Sequence, residues 1–374
     1  MWRKRTSIVI VMVIVAAMSG TGLMAPSPVL AGGRGEPIFG DVNGDGTVDR
    51  LTLGIVQPDL CSVITEYGRP GGGYAPPVAA VYLRPGGSGL GTRCPELGVA
   101  VDLDTDHQQE LVVGWFPGPP PTIEYNLLVL NNNFQPSFGL VQALFSPYFI
   151  GTADFNADGR QDVYTVTDQG QGIETYLNLG DGTLAAGPVQ WCARPVEYAL
   201  RDFDLDGAMD VVSSYLERCL SAFTSGVAVV LDDGAAQVLQ HDPNGLDTWV
   251  TRVVNANGDR IPDIRTVSRL TGITDYFIGT ASGRFVLSPK ANNDTVSITG
   301  TRAITINVKA NDQATSQAVV TITVPPRYGT ARVISGGRIV YTPRANHGLT
   351  DGFTYQLTEG TRRSSAVVRI RWTG

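Results

Sequence analysis

The stretch DVNGDGTVD, residues 41–49, places oxygen-bearing side chains at its first, third, fifth and ninth positions and glycine at its sixth. Alternate side chains of a tight loop can converge on one cation, and calcium takes six to eight oxygen ligands at roughly 2.3–2.6 Å. Glycine at position six permits the sharp turn that such a loop needs. Magnesium prefers a smaller octahedral shell that keeps its waters. The stretch therefore predicts a calcium loop.

Four further copies of the pattern follow along the chain. They are DLDTDHQQE from residue 102, DFNADGRQD from 154, DFDLDGAMD from 202 and NANGDRIPD from 255, and the starts lie 61, 52, 48 and 53 residues apart. A period near 50 residues indicates an array of one supersecondary unit. The predicted calcium ligands are positions one, three, five and nine of each loop: Asp41, Asn43, Asp45, Asp49, Asp102, Asp104, Asp106, Glu110, Asp154, Asn156, Asp158, Asp162, Asp202, Asp204, Asp206, Asp210, Asn255, Asn257, Asp259 and Asp263.

The five copies are unequal. His107 and Arg260 stand at position six of the second and fifth loops, where the other three have glycine. The second loop compensates with four acids, whereas only Asp259 and Asp263 are charged ligands in the fifth. For a single copy, an ordinary Asx-rich surface turn is the alternative interpretation. The regular repetition favours calcium at up to five sites, with the fifth site the weakest.

An EF-hand would open in the same way, but it needs Glu at position twelve and a following helix. The twelfth residues here are Thr, Val, Thr, Ser and Thr, and strand-like segments such as LVVGWF and VYTVT follow the loops. A dockerin module would also need helices. Each unit reads as about four short strands with one metal loop between two of them. Four-stranded units at this period are typical of β-propeller blades.

Residues 36–288 resemble the FG-GAP/VCBS repeat family, the bacterial relatives of the integrin α-chain propeller. The five loops and the strand end NLGDGTL at residues 178–184 carry the resemblance. It implies a propeller with a calcium ion in a hairpin of each motif-bearing blade. Five units fall short of the seven blades of integrin chains. The resemblance therefore implies either a five-bladed propeller or a degenerate blade concealed in the long first unit.

The C-terminal segment, residues 289–374, has no loop of this kind. Alternating stretches such as AITINVKA and SAVVRIRWTG predict about seven short strands. The pieces ANNDTVSITG, VKANDQ, IVYTPRANHG and TDGFTYQL resemble the bacterial Ig-like, cadherin-like repeat of surface proteins. That resemblance implies a β-sandwich spacer or adhesive module. Asp294, Asp312 and Asp351 are either ligands of a further calcium ion or ordinary turn aspartates.

The N-terminal segment resembles a secretory signal, with Arg3, Lys4 and Arg5 before a short apolar run and small residues near Ala31. An uncleaved anchor is the alternative. The predicted domains are a signal peptide over 1–31, a propeller over 32–288 and an Ig-like β-sandwich over 289–374. Export makes disulfides possible. Four cysteines allow three pairings, of which we favour Cys61–Cys94 and Cys192–Cys219 because these are neighbours in sequence.

Charge is divided unevenly between the two predicted modules. Residues 32–288 carry a net charge of −17 and residues 289–374 a net charge of +7. The acidic part is not expected to bind nucleic acid. Sixteen of its 31 acids lie in the five loops, so the loops account for half of its carboxylates without any catalytic role.

No nucleophile motif or phosphate-binding glycine loop is present in the sequence. His107, His241 and His347 lie far apart in the chain, and Trp115, Trp191 and Trp249 sit beside strand-like sequence. We expect an all-β, non-catalytic, exported calcium protein of the surface or adhesion type. Its propeller would be a platform for a protein or glycan ligand, a lectin included. The alternative is a secreted polysaccharide-degrading hydrolase or lyase on the same scaffold.

Overall fold

The computed structural model describes residues 32–33, 35–57, 59–84, 94–115, 127–140, 147–167, 172–218, 221–346, 348–360 and 362–373. The predicted signal segment, 1–31, lies outside these residues. The described chain is all β, as predicted. Its only helical elements are two 3-10 turns, Val308–Ala310 and Ser335–Gly337. No helix within the described ranges is long and apolar enough to cross a membrane.

Five sheets account for the described part of the repeat region, and each contains four consecutive antiparallel strands. An additional short strand, β1, pairs with the edge of the third sheet. The strands are β1 Gly32–Gly33; β2 Ile38–Gly40, β3 Asp49–Gln57, β4 Leu60–Glu66 and β5 Val78–Leu83; β6 Leu97–Val101, β7 Glu110–Gly114, β8 Leu127–Leu130 and β9 Pro136–Leu140; β10 Phe149–Ala153, β11 Asp162–Val166, β12 Ile173–Asn178 and β13 Leu184–Trp191; β14 Ala193–Arg201, β15 Asp210–Arg218, β16 Ser221–Val230 and β17 Ala236–Asp242; and β18 Trp249–Val254, β19 Asp263–Ser268, β20 Thr274–Gly279 and β21 Phe285–Leu287.

The first four of these sheets share their cores pairwise in chain order. On β7, Leu111 and Val113 pack in a core shared with the first sheet, whereas Val112 packs in a core shared with the third. On β11, Val163 faces the second sheet and Tyr164 faces the fourth. Successive strand residues point to opposite faces of a sheet. The middle sheets are therefore buried on both faces, and every residue of β7 and of β11 is buried.

Stacked four-stranded sheets are what the repeat predicted. The closure of these sheets into a propeller, and the number of blades, remain predictions. The chain divides into two compact units: Met1–Asp202 with Asp206–Thr248, and Trp249–Gly374 with Phe203–Leu205. The fifth sheet thus belongs to the same compact unit as the C-terminal module. The predicted domain boundary between residues 288 and 289 was drawn from sequence repeats and stays a prediction.

The described residues of the C-terminal module form seven strands in two sheets, and its alternating pattern predicted about seven. One sheet has the order β22-β28-β27-β24 and the other β23-β26-β25. Their side chains enclose one core, in which Tyr341, Tyr355 and Phe353 are the largest buried residues. The strands are β22 Asp294–Ile298, β23 Ile304–Ile306, β24 Val319–Val324, β25 Gly329–Val333, β26 Ile339–Pro343, β27 Thr350–Glu359 and β28 Arg362–Trp372.

A disulfide joins Cys61 in β4 to Cys94, which precedes β6, with a Cα–Cα distance of 5.5 Å. This confirms the first predicted pairing. Cys61 and Cys94 are both buried in the core that the first two sheets share. The bridge ties the first sheet to the entry of the second. Cys219 lies outside the described residues, so the predicted pairing of Cys192 with Cys219 is not tested.

Candidate metal loops

Each predicted loop connects the first and second strands of its own sheet. The loops follow β2, β6, β10, β14 and β18, and the second strand of each sheet begins at position nine of the loop. The five copies therefore occupy equivalent places in five equivalent sheets. Each sheet continues as an antiparallel meander through its third and fourth strands.

Position one organises the turn by accepting hydrogen bonds from backbone amides within its own loop. Asp41 accepts from Gly44 N at 2.7 Å and from Gly46 N at 2.7 Å. The position-one carboxylates of the next three loops accept from the amide of position six at 2.9–3.1 Å. These bonds hold one carboxylate on the inside of the turn in each of the first four loops.

The carboxylate at position five accepts the same hydrogen bond in all five loops. Its Oδ1 atom accepts from the amide of position seven at 2.7–2.8 Å. In the first loop, the hydroxyl of Thr47 and then its backbone amide lower the pKa of Asp45. In the first, third and fifth loops, the second carboxylate oxygen of position five faces the asparagine at position three. Asn43, Asn156 and Asn257 each donate there through Nδ2 at 2.7–3.0 Å.

The left-handed backbone conformation occurs at two positions of the loop, and sequence reasoning found only one of them. Position six has φ between 71° and 102° in the first four loops, and His107 is accommodated there with φ 71°. Arg260 of the fifth loop lies outside the left-handed region. Position four is left-handed in all five loops, including the non-glycine residues Thr105, Ala157 and Leu205. Only the glycines at position four of the first and fifth loops could have signalled this.

Position nine has a role that the sequence did not reveal. The five acids at this position, Asp49, Glu110, Asp162, Asp210 and Asp263, are 0–4% exposed. In the third loop, one oxygen of Asp162 accepts from Phe155 N and the other from Asn178 N, both at 2.8 Å. Asp49 and Asp263 likewise accept a backbone amide on each of their two carboxylate oxygens. Position nine therefore joins the loop to the end of the third strand of the sheet.

Burial perturbs the ionisation of these acids. Desolvation raises the pKa of Glu110 to about 7 and the pKa of Asp162 to about 6. It also raises the pKa values of Asp49 and Asp263. Neighbouring loop carboxylates add to the effect because like charges disfavour ionisation. A cation in the loop would oppose both causes.

Two loops bring three carboxylates together. Asp102, Asp104 and Glu110 each place one oxygen within 4.8 Å of the other two, and so do Asp202, Asp204 and Asp206. These are positions one, three and nine in the second loop and one, three and five in the fourth. The first, third and fifth loops bring together an amide and a carboxylate at positions three and five. An all-oxygen donor set of this kind suits a hard cation such as calcium.

Main-chain hydrogen bonds connect neighbouring loops within the first unit. Gln109 N donates to the carbonyl of Asp41 at 2.9 Å, and Met209 N donates to the carbonyl of Asp154 at 2.8 Å. In both pairs, position eight of one loop bonds to position one of the loop before it. Between the second and third sheets, Asn178 Nδ2 donates to the carbonyl of Asp102 at 2.8 Å. The first four loops therefore form one row.

The acids of the C-terminal module serve its turns. Asp351 accepts from Arg327 N, Tyr328 N and the hydroxyl of Tyr341. Asp312 accepts from Asn292 N at 2.7 Å and from the hydroxyl of Tyr355 at 2.9 Å. These contacts favour the interpretation of Asp312 and Asp351 as turn aspartates.

The residues considered for carbohydrate chemistry are placed differently. Trp115, Trp191 and Trp249 are only 3%, 4% and 7% exposed, so they are core residues and present no face for stacking on a sugar. His107 lies in the second loop, 3.9 Å from Asp102, and His241 is exposed in β17. His347 lies outside the described residues.

Comparison with known families agrees with this arrangement. Residues 154–213 match the model of the FG-GAP-like repeat, and residues 287–371 match that of the bacterial Ig domain. The two predicted resemblances are confirmed, in the predicted order. The FG-GAP-like match covers the third loop, strands β11 to β14, the fourth loop and the start of β15. Domains of both kinds are typical of extracellular, adhesion-like proteins and are typically non-enzymatic. A search of the curated proteins gave no match.

Proposed function

We propose that the chain is an exported calcium-binding protein of the surface or adhesion type. Its stacked sheets would close into a propeller that presents a protein or glycan ligand site, and its Ig-like module would supply reach or a second contact. The ligand is extracellular in this proposal, and the mature chain has no membrane span. The two family matches support the general class.

The observation that carries the calcium proposal is the convergence of three carboxylate oxygens within 4.8 Å in the second and fourth loops. Like charges at this separation repel one another, and a divalent ion would offset that repulsion. The ligand set would be positions one, three, five and nine, with the fifth loop the weakest site. When bound, calcium would supply electrostatic cross-linking of each loop and no chemistry of its own.

Because the first four loops form one row, ions bound in them would have a structural role. Each of these four loops joins two strands of its own sheet and makes a hydrogen bond to a neighbouring loop or sheet. Filling the loops would therefore stiffen one edge of the whole stack. A rigid edge is suited to ligand recognition, because less conformational entropy is lost when the ligand binds.

The test is calcium titration of the full chain by calorimetry, combined with thermal melting in calcium and in EDTA. A ligand that binds only the folded state at a hundredfold excess over its Kd stabilises by roughly 2.7 kcal/mol per site. Asp204→Asn should abolish one binding event and reduce the calcium-dependent rise in melting temperature. Asp233→Asn is the matched control, because Asp233 is an acid of the same sheet whose bond to Ala235 N an asparagine can keep. Identical melting in EDTA and calcium would refute the proposal.

Ligand class is tested by protein and glycan binding screens with and without calcium. The alternative function, a polysaccharide-degrading hydrolase or lyase, predicts release of reducing ends or unsaturated products from polysaccharides. The burial of the three candidate tryptophans gives that alternative no support.

A further inference from the structure

The fifth loop, residues 255–263, shares hydrogen bonds with the other loops, but its Arg260 lacks their left-handed conformation at position six and its chemical character is different. It keeps the bond from Ile261 N to Asp259 and the bond from Ala256 N to Asp263. At position one, Asn255 Oδ1 accepts from Gly258 N at 2.7 Å, as Asp41 accepts from Gly44 N, but its Nδ2 also donates to the carbonyl of Asp259 at 2.5 Å. A neutral amide thus stands where the other loops have a carboxylate. Arg260 adds a positive charge at position six.

The fifth loop also cannot donate a hydrogen bond from position eight to the loop before it. Its position eight is Pro262, which has no amide hydrogen. The equivalent residues of the second and fourth loops, Gln109 and Met209, donate to the loop before them. The fifth loop instead has contacts of a different kind.

Those contacts come from the Ig-like module, in the same compact unit. Ser316 N donates to the carbonyl of Ala256, position two of the loop, at 2.8 Å. The preceding residue, Thr315, is buried and its amide donates to Glu359 at 2.5 Å. Ala314, one residue earlier, belongs to the core of the Ig-like module. Three consecutive residues thus connect the loop to that core.

A second group of contacts fixes the same module to the sheet that carries the loop. Glu359, at the end of β27, also accepts from the hydroxyl of Ser288 at 2.6 Å. Arg362, at the start of β28, donates to Asp275 of β20 through Nε at 2.9 Å and Nη2 at 2.6 Å. The Asp275 side chain is only 10% exposed. A partly desolvated pair of this kind has a defined geometry, unlike most surface ion pairs.

We propose that the fifth loop is a docking loop for the Ig-like module, and that this module, rather than a cation, holds the loop in shape. The first four loops would respond to calcium and the fifth to the seating of the Ig-like module. The proposal depends on the proposed function only for the comparison with those four loops. It makes the Ig-like module a fixed extension of the fifth sheet and not a freely moving spacer.

Hydrogen exchange of the full chain, followed by mass spectrometry of peptides covering each loop, tests this proposal. EDTA should speed exchange in the first four loops and change exchange in the fifth by less than about twofold, because local openings are independent where contacts are not shared. The double variant Glu359→Gln, Arg362→Met should speed exchange at residues 255–263 by about fivefold or more, the lower end of usual coupling between sites. Arg369→Met, an exposed arginine of the same strand, is the matched control and should change nothing there.

Asp275→Asn breaks the ion pair from the sheet side and should give the same result if the double variant fails to fold. Two outcomes would overturn the proposal: a fifth loop that responds to EDTA as the others do, or one that neither variant loosens. If EDTA has no effect on the first four loops, the calcium function fails. A fifth loop that these variants loosen would still support the docking role in that case.

Discussion

Met209 donates its main-chain amide to the carbonyl oxygen of Asp154 at 2.8 Å and so fastens the fourth loop to the third. The amide of Gln109 makes the equivalent bond to Asp41, between the second loop and the first. The donor is position eight and the acceptor position one in both cases. Neighbouring sheets are therefore connected at the loops as well as through their apolar cores.

Met209→Pro should remove this connection without distorting the loop, because Pro262 occupies the same position in the fifth loop. The expected loss of stability is about 1 kcal/mol, the net value of one hydrogen bond. Met209→Ala is the control, since it shortens the side chain and keeps the amide. Urea unfolding of both variants measures the difference. Equal stability of the proline and alanine variants would show that the bond contributes nothing.

Asp162→Asn should destabilise the protein in EDTA as well as in calcium. Both oxygens of Asp162 accept backbone amides inside the protein, and an asparagine NH₂ group would face one of those donors. A buried donor left without an acceptor costs about 1–3 kcal/mol. Asp158→Asn, in the exposed part of the same loop, should have little effect in EDTA. A loss of stability confined to calcium would mean that position nine acts only as a ligand.

Acidification should stabilise the Ig-like module between about pH 6 and pH 4 through Asp294. Desolvation and the nearby Asp312 raise the pKa of Asp294 to about 6, above its usual value near 4. The folded state therefore binds more protons than the unfolded state in this range, so stability falls as pH rises from about 4 to about 6. Above both pKa values the contribution is constant.

Asp294→Asn should remove this part of the pH dependence, which can be measured as the difference in melting temperature between wild type and variant at several pH values. Asp351→Asn is the comparison variant. Asp351 accepts amides from Arg327 and Tyr328, so its replacement should lower stability. If the melting temperature of Asp294→Asn depends on pH as that of the wild type does, the titrating group is not Asp294.

Reduction of the disulfide between Cys61 and Cys94 should destabilise the first unit. The bridge spans 33 residues, and closing a loop of that length is worth about 3–4 kcal/mol by the chain-entropy model. The replacement of both cysteines by alanine should have the same effect without reductant. Peptide mapping under non-reducing conditions checks the pairing and also tests the predicted bond between Cys192 and Cys219. Any linkage of Cys61 to a residue other than Cys94 would contradict the structure.

The sequence alone determined the all-β class, the equivalent placement of the five loops and the two family resemblances, and among three possible cysteine pairings it only favoured the one with Cys61–Cys94. These features were readable because strand alternation and the spacing of loop oxygens are local: Asp41 and Asp49 lie within nine residues of each other. The sequence did not reveal the second role of Asp162, since its partner Asn178 is 16 residues away and contributes only a backbone amide.

Only the tertiary structure decided which parts of the chain belong together. Arg362 and Asp275 are 87 residues apart, and neither stands in a motif that would pair them. The same holds for the backbone bond between Ser316 and Ala256, because every residue except proline carries the amide that such a bond uses. Local spacing specified the loops. Long-range hydrogen bonds and shared cores, which have no signature in a single sequence, determined how the loops and the fifth sheet are held.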